Sequence, residues 1–142
     1  MRAVKIMLAG RERYLSLTVE ALACIEERFG SIDALIGLLP DRGREGVAAV
    51  CGAAAILAEQ GELARRALGY DPVPMADEAA IRATLSPKEV VELSLAIPAA
   101  ITLGFGREVE PEGNEVDLGL AELNAQKKTP GPGPGTGAGG GR

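Results

Sequence analysis

With 142 residues, 46% of them hydrophobic, the chain has enough apolar material for one buried core, but two Phe, two Tyr and no Trp leave that core to Ala, Leu, Ile and Val. Small side chains of this kind suit close helix packing, so a mainly α fold is expected. A formal charge of -5 argues against nucleic-acid binding, and the absence of histidine removes the commonest general base, most catalytic zinc arrangements and the usual catalytic triads.

Val4, Ile6 and Leu8 alternate with Lys5 and Met7, the period of a half-buried strand. Ala9-Gly10-Arg11-Glu12 offers a turn, and Tyr14 to Leu17 alternates again. A β-hairpin follows, and because an isolated hairpin is marginal in water its apolar face must lie on something else. Arg2, Lys5, Arg11 and Arg13 are spread along it and read as solvated strand positions.

Thr18 is placed to cap a helix bearing Leu22, Ile25 and Phe29 on one face, with Glu20, Glu26, Glu27 and Arg28 elsewhere. Gly30 is a natural stop, and Ser31 caps a second helix over Ile32 to Leu39. From Glu45 to about Leu68 the pattern is helical with small side chains. Gly46, Gly52 and Gly61 each cost about 1 kcal/mol there relative to Ala, a cost offset if a neighbouring helix approaches closely. Alternatively, Gly61 divides the segment in two.

Two prolines break regular structure between Gly69 and Pro74, and a short helix is expected near Ala76 to Leu85. Ser86-Pro87-Lys88-Glu89 has the form of a capping box with proline at the first helical position. The helix it opens carries Val90, Leu93, Ile97 and Ile101 at helical spacing, with a kink expected at Pro98. Leu93 to Phe105 is apolar nearly all round. It is therefore central to the fold or covered by a partner. On the second alternative Leu93, Ile97, Ile101, Leu103 and Phe105 are the candidate partner-binding residues.

Beyond Arg107 the pattern ends. The expected organisation is a hairpin plus helical domain over 1–107, an acidic and weakly structured linker over 108–128, and a disordered tail over 129–142. The linker has one weak helical stretch, Asp117 to Gln126. Seven Gly and three Pro in the fourteen tail residues cannot build a core.

No catalytic, cofactor or metal site is expected. Cys24 and Cys51 lack Cys-x-x-Cys spacing and read as packed core thiols. The carboxylate pairs Glu26-Glu27 and Asp77-Glu78 read as solvated helix faces. The Gly-rich tail lacks the lysine and the strand-to-helix setting of a phosphate loop. There is no signal-peptide pattern at the start, and the apolar runs 46–58 and 93–105 are too short to span a bilayer, so a cytoplasmic protein is expected.

The hairpin with Gly10, Tyr14 and Leu15, followed by Thr18-Val19-Glu20-Ala21-Leu22-Ala23-Cys24-Ile25-Glu26-Glu27-Arg28-Phe29-Gly30-Ser31, resembles the start of tail assembly chaperones of long-tailed phages and gene-transfer agents. The resemblance covers about residues 3–105, with its recognisable motif in the first third. It implies a non-enzymatic host-cytoplasmic protein that self-associates, binds the tape measure protein and promotes assembly of the tail-tube protein around it. In such families a longer product is commonly made by ribosomal frameshifting. The chain has eleven Arg but four Lys, two of them adjacent at Lys127-Lys128 after Gln126, a triplet that an A-rich slippery site could encode. The rival expectation is a structural subunit of the tail or head-tail connector.

Overall fold

The computed structural model describes residues 2–106 and, as backbone, 115–117. Strands β1 (Arg2–Leu8) and β2 (Arg11–Leu15) form the expected antiparallel hairpin, with Val4 opposite Leu15 and Leu8 opposite Arg11. The turn is tighter than the sequence suggested. Ala9 (φ 52°) and Gly10 (φ 85°) both take positive φ, the backbone of a two-residue type I′ turn whose twist matches the strands, so Arg11 and Glu12 join the ladder.

Within the stretch expected to be a weakly structured linker, β3 (Glu115–Asp117) pairs with the other side of β1, giving the order β2-β1-β3. Edge donors and acceptors of β1 are satisfied by any extended backbone, whatever its side-chain period, so hydrophobic patterning carried no sign of it. The Lys127-Lys128 pair, the remainder of the expected helical stretch and the Gly/Pro-rich tail lie outside the described residues.

Five helices follow the hairpin: α1 (Val19–Phe29), α2 (Ile32–Leu38), α3 (Arg44–Ala67), α4 (Glu78–Thr84) and α5 (Pro87–Gly104). Their starts are fixed by side chains that accept otherwise unpaired amides. Thr18 accepts from Ala21 N–H, Ser31 from Ala34 N–H and Asp77 from Ala80 N–H. At α5 the capping box closes in both directions, Ser86 Oγ accepting from Glu89 N–H at 3.3 Å and Glu89 Oε1 from Ser86 N–H at 2.8 Å. This helix continues through Pro98 to Gly104.

Helix α3 is the hub, packing against β2, α1, α2, α4 and α5. Ala49, Val50, Cys51, Ala53, Ala54, Leu57 and Ala58 are all buried on it, and it is one uninterrupted helix of 24 residues. It is long and apolar enough to cross a bilayer by length and composition, which the shorter run 46–58 did not suggest. In this fold its apolar side chains instead form the middle of the core, together with Leu8, Leu15, Ile25, Leu35, Ile81, Leu93 and Ile97.

The glycines of α3 do mark close approaches, but not by helix backbones. A Cβ on Gly61 would land on the carbonyl oxygen of Tyr14 in β2, one on Gly46 on the carbonyl of Asp41 in the loop before α3, and one on Gly52 on the Arg28 guanidinium from α1. Four residues before Gly61, the carbonyl of Leu57 accepts from Ser16 N–H at 3.1 Å. The hairpin is thus bolted, backbone to backbone, onto the helix.

Replacing Gly61 by Ala separates packing from propensity. Propensity alone favours Ala by about 1 kcal/mol; the blocked approach of β2 costs about 1–3 kcal/mol. The expected outcome is a lower urea midpoint for Gly61→Ala, and a raised midpoint would show that β2 does not need the gap.

Candidate functional site

The five residues expected to face a partner divide in the structure. Leu93, Ile97, Ile101 and Leu103 are 1, 0, 5 and 4% exposed, so they are core and not an open surface, because α5 packs against both α3 and β1. Phe105, just beyond the helix, is 56% exposed. The remaining apolar surface of α5 is on its other side. Val91, Leu95, Pro98, Thr102 and Phe105 are spaced by alternating steps of four and three, which keeps them on one stripe of a helix. Val91 and Leu95 are 45 and 71% exposed, whereas Pro98 and Thr102 are half-buried. Sequence periodicity missed this stripe because α5 is apolar on both faces, so spacing could not say which face α3 and β1 would take.

A second feature escaped sequence reading entirely. At the C-terminal end of α3, Glu62 and Arg65 are each only 7% exposed. Glu62 Oε1 accepts from Arg65 Nη1 at 2.7 Å, while Oε2 accepts from Arg66 Nε at 2.9 Å and from Val73 N–H at 2.7 Å. Arg65 Nη1 also donates to the Asp71 carbonyl at 3.3 Å, and Arg66 Nη2 to the Val73 carbonyl at 3.0 Å. From the hairpin, Arg13 donates through Nε to the Leu8 carbonyl and through Nη1 to the Pro74 carbonyl, both at 2.8 Å.

These bonds fasten the proline-bearing loop 69–77 to α3 and to β2, satisfying carbonyls and an amide that no regular element serves. The Arg65 guanidinium also lies 5.7 Å from the Tyr14 ring centroid and 5.0 Å from that of Tyr70, within cation–π range. Burial pushes the Glu62 carboxyl up, but the Val73 amide and the two arginines outweigh it and hold the group below its usual range. The clue was present in the chain: Glu62 with Arg65 and Arg66 at i+3 and i+4 is a favoured helical ion-pair spacing. Nothing in the spacing told that the cluster would be buried.

A cleft of about 200 Å³ opens beside this cluster, lined by Glu12, Arg13, Tyr14, Glu62, Arg65 and Val73. Arg65 Nε is the one buried side-chain nitrogen or oxygen among the described residues that lacks a hydrogen-bond partner.

Of the carboxylate pairs noted in the sequence, Glu26 and Glu27 are exposed as expected, whereas Asp77 and Glu78 tie elements together. Asp77 caps α4, and Glu78 forms a two-pronged ion pair with Arg28, at 2.6 and 2.9 Å, that ties α4 to α1. That contact, ahead of the burial that opposes it, lowers the Glu78 carboxyl. Cys51 is a core thiol as expected, but Cys24 is only half-buried and donates to Glu20 at 3.6 Å. Helical periodicity put Cys24 near the buried stripe of Ala21 and Ile25, and one residue short of Ile25 turns it to the rim. Among the described residues, no three His, Cys, Asp or Glu side chains come together in a metal-binding group. No family model, curated protein or solved structure matches the chain.

Glu62→Gln tests the buried cluster. Leaving Arg65 buried without its counter-charge is expected to cost about 3 kcal/mol at pH 7, measured by urea denaturation. Because the folded carboxyl is held low, its stabilisation is present above the ordinary carboxylate range and is lost as pH falls through the folded value. The gap between the parent and Glu62→Gln is therefore expected to be full at pH 7, nearly full at pH 5 and to close below about pH 4.

Proposed function

We propose that this chain is a tail assembly chaperone of the long-tailed phage and gene-transfer-agent type, a non-enzymatic protein that binds a tape measure protein and promotes tail-tube assembly. The observation that carries the reading is the opening of the chain: a tight hairpin, a Thr18-capped acidic helix and its stop at Gly30-Ser31, in the residues that resemble the family. The apolar side chains left outside the core support it. An extended helical client exposes apolar stripes before the tube encloses it, and a small protein with a matching stripe would cover them reversibly. On this reading the client-facing residues are Val91, Leu95 and Phe105, in place of the buried residues of the same helix.

Co-expression with any tape measure protein encoded beside this gene, followed by size-exclusion chromatography, tests the reading. The parent chain is expected to co-elute with that client. Leu95→Asp is expected to abolish co-elution with an unchanged thermal midpoint, because Leu95 is exposed. Ile97→Asp is expected to unfold the domain, because it places a charge in the core. Absence of any complex between the parent chain and the tape measure protein would sink the proposal. Presence of this chain as a stoichiometric component of purified particles would favour a structural tail subunit.

A further inference from the structure

We propose that residues 71–76 form a strap that Glu62 keeps closed against the end of α3, and that opens on its own, with the rest of the domain folded, when that carboxylate takes up a proton. The strap is anchored at both ends. Tyr70 before it is 5% exposed, and Asp77 after it caps α4, whose Ile81 belongs to the core. Between these anchors Asp71, Pro72, Pro74 and Met75 are exposed, while Val73 and Ala76 are half-buried. Opening the strap therefore uncovers little apolar surface, the property of segments that unfold locally.

Hydrogen bonds hold it instead. Val73 N–H donates to Glu62 Oε2 at 2.7 Å, Arg65 donates to the Asp71 carbonyl, Arg66 to the Val73 carbonyl and Arg13 to the Pro74 carbonyl. Three of these four depend on Glu62, because its oxygens also accept from Arg65 at 2.7 Å and from Arg66 at 2.9 Å and so aim both guanidiniums. Pro72 and Pro74 have no amide with which to add others. Arg65 Nε lacks a partner even with the strap closed, so burial of this cation rests on the Glu62 charge and on the Tyr14 and Tyr70 rings. A proton on Glu62 removes that charge, and water admitted by opening solvates the arginine.

Charged and titratable groups come to Glu62 from three elements. They are Arg65 and Arg66 on α3, Arg13, Glu12 and Tyr14 on β2, and Tyr70 and Asp71 in the loop. Of these, Glu62, Glu12 and Asp71 change charge on going from neutral pH to about pH 3. Burial pushes the Glu62 carboxyl up, but the Val73 amide and the two arginines outweigh it. The closed strap therefore persists through the ordinary carboxylate range and is lost as pH falls through the lower, folded value.

This device is separate from the outer stripe of α5 and does not depend on the tail-assembly reading. Backbone 15N relaxation of the full chain at about pH 7, 5 and 3 tests it. The order parameters of Asp71, Val73, Met75 and Ala76 are expected near about 0.85 at the two higher pH values and below about 0.6 at the lowest. Ser16, whose amide is bonded to the Leu57 carbonyl, is expected to keep its value throughout. Glu62→Gln is expected to bring the same four residues below about 0.6 already at neutral pH. Asp71→Asn and Glu12→Gln, which remove the other two titrating carboxylates, are expected to leave the parent's pH dependence in place. Where Glu62→Gln does not fold, the parent series and these two variants decide. A strap still ordered at the lowest pH, loss of order in Ser16 together with the strap, a folded Glu62→Gln as ordered as the parent, or an acid response abolished by Asp71→Asn or Glu12→Gln would each overturn the proposal.

Discussion

The close contact of strand β2 with helix α3 is the constraint on which the rest of the fold depends. Leu57 offers its carbonyl to Ser16 N–H, and Gly61 leaves room for the Tyr14 carbonyl one turn later. A hairpin alone would not hold its shape in water, and α3 alone would expose a long apolar surface. Together they solve both problems. The same contact sets where the chain goes next, since Thr18, immediately after the hairpin, both caps α1 and donates to Gln60 of α3 at 2.9 Å.

With the hairpin seated, the small side chains of α3 let other elements approach on its remaining sides. Arg28 of α1 passes over Gly52 to reach Glu78 of α4, so one glycine on the hub makes space for the ion pair linking two peripheral helices. At the far end of α3, where the small-residue pattern stops, the packing changes character. Glu62, Arg65 and Arg66 replace apolar contact with a hydrogen-bonded network that holds an irregular, proline-bearing loop. A loop with few amides of its own to pair needs such outside partners, and arginine's several donors supply them.

The proposed client-facing stripe and the buried charge cluster draw on different parts of the molecule. The outer stripe of α5 is apolar and convex, suited to another helix; the cleft beside Arg65 is small, concave and polar. Their separation follows from how α3 is used. Its middle is consumed by the core, which pushes the surplus apolar surface out to α5, while its end supplies the buried charges.

The chain's own residues determined the fold class, the hairpin, and the beginnings of α1, α2 and α5, because caps, turns and alternation are local effects between residues a few positions apart. They also showed that α3 has gaps where something approaches closely, without showing what approaches. Tertiary structure alone decided that a strand and a loop, not helices, fill the gaps at Gly61 and Gly46. It likewise decided that Leu93, Ile97 and Ile101 point inward while Val91 and Leu95 face out, since a helix apolar on both sides has no preferred face until its neighbours are placed. The Glu62–Arg65 pair was legible as a spacing but not as a buried site. Its burial depends on Tyr14 from the distant hairpin and on Tyr70 and Val73 from the loop that turns back just after α3, and no helical spacing rule contains that information.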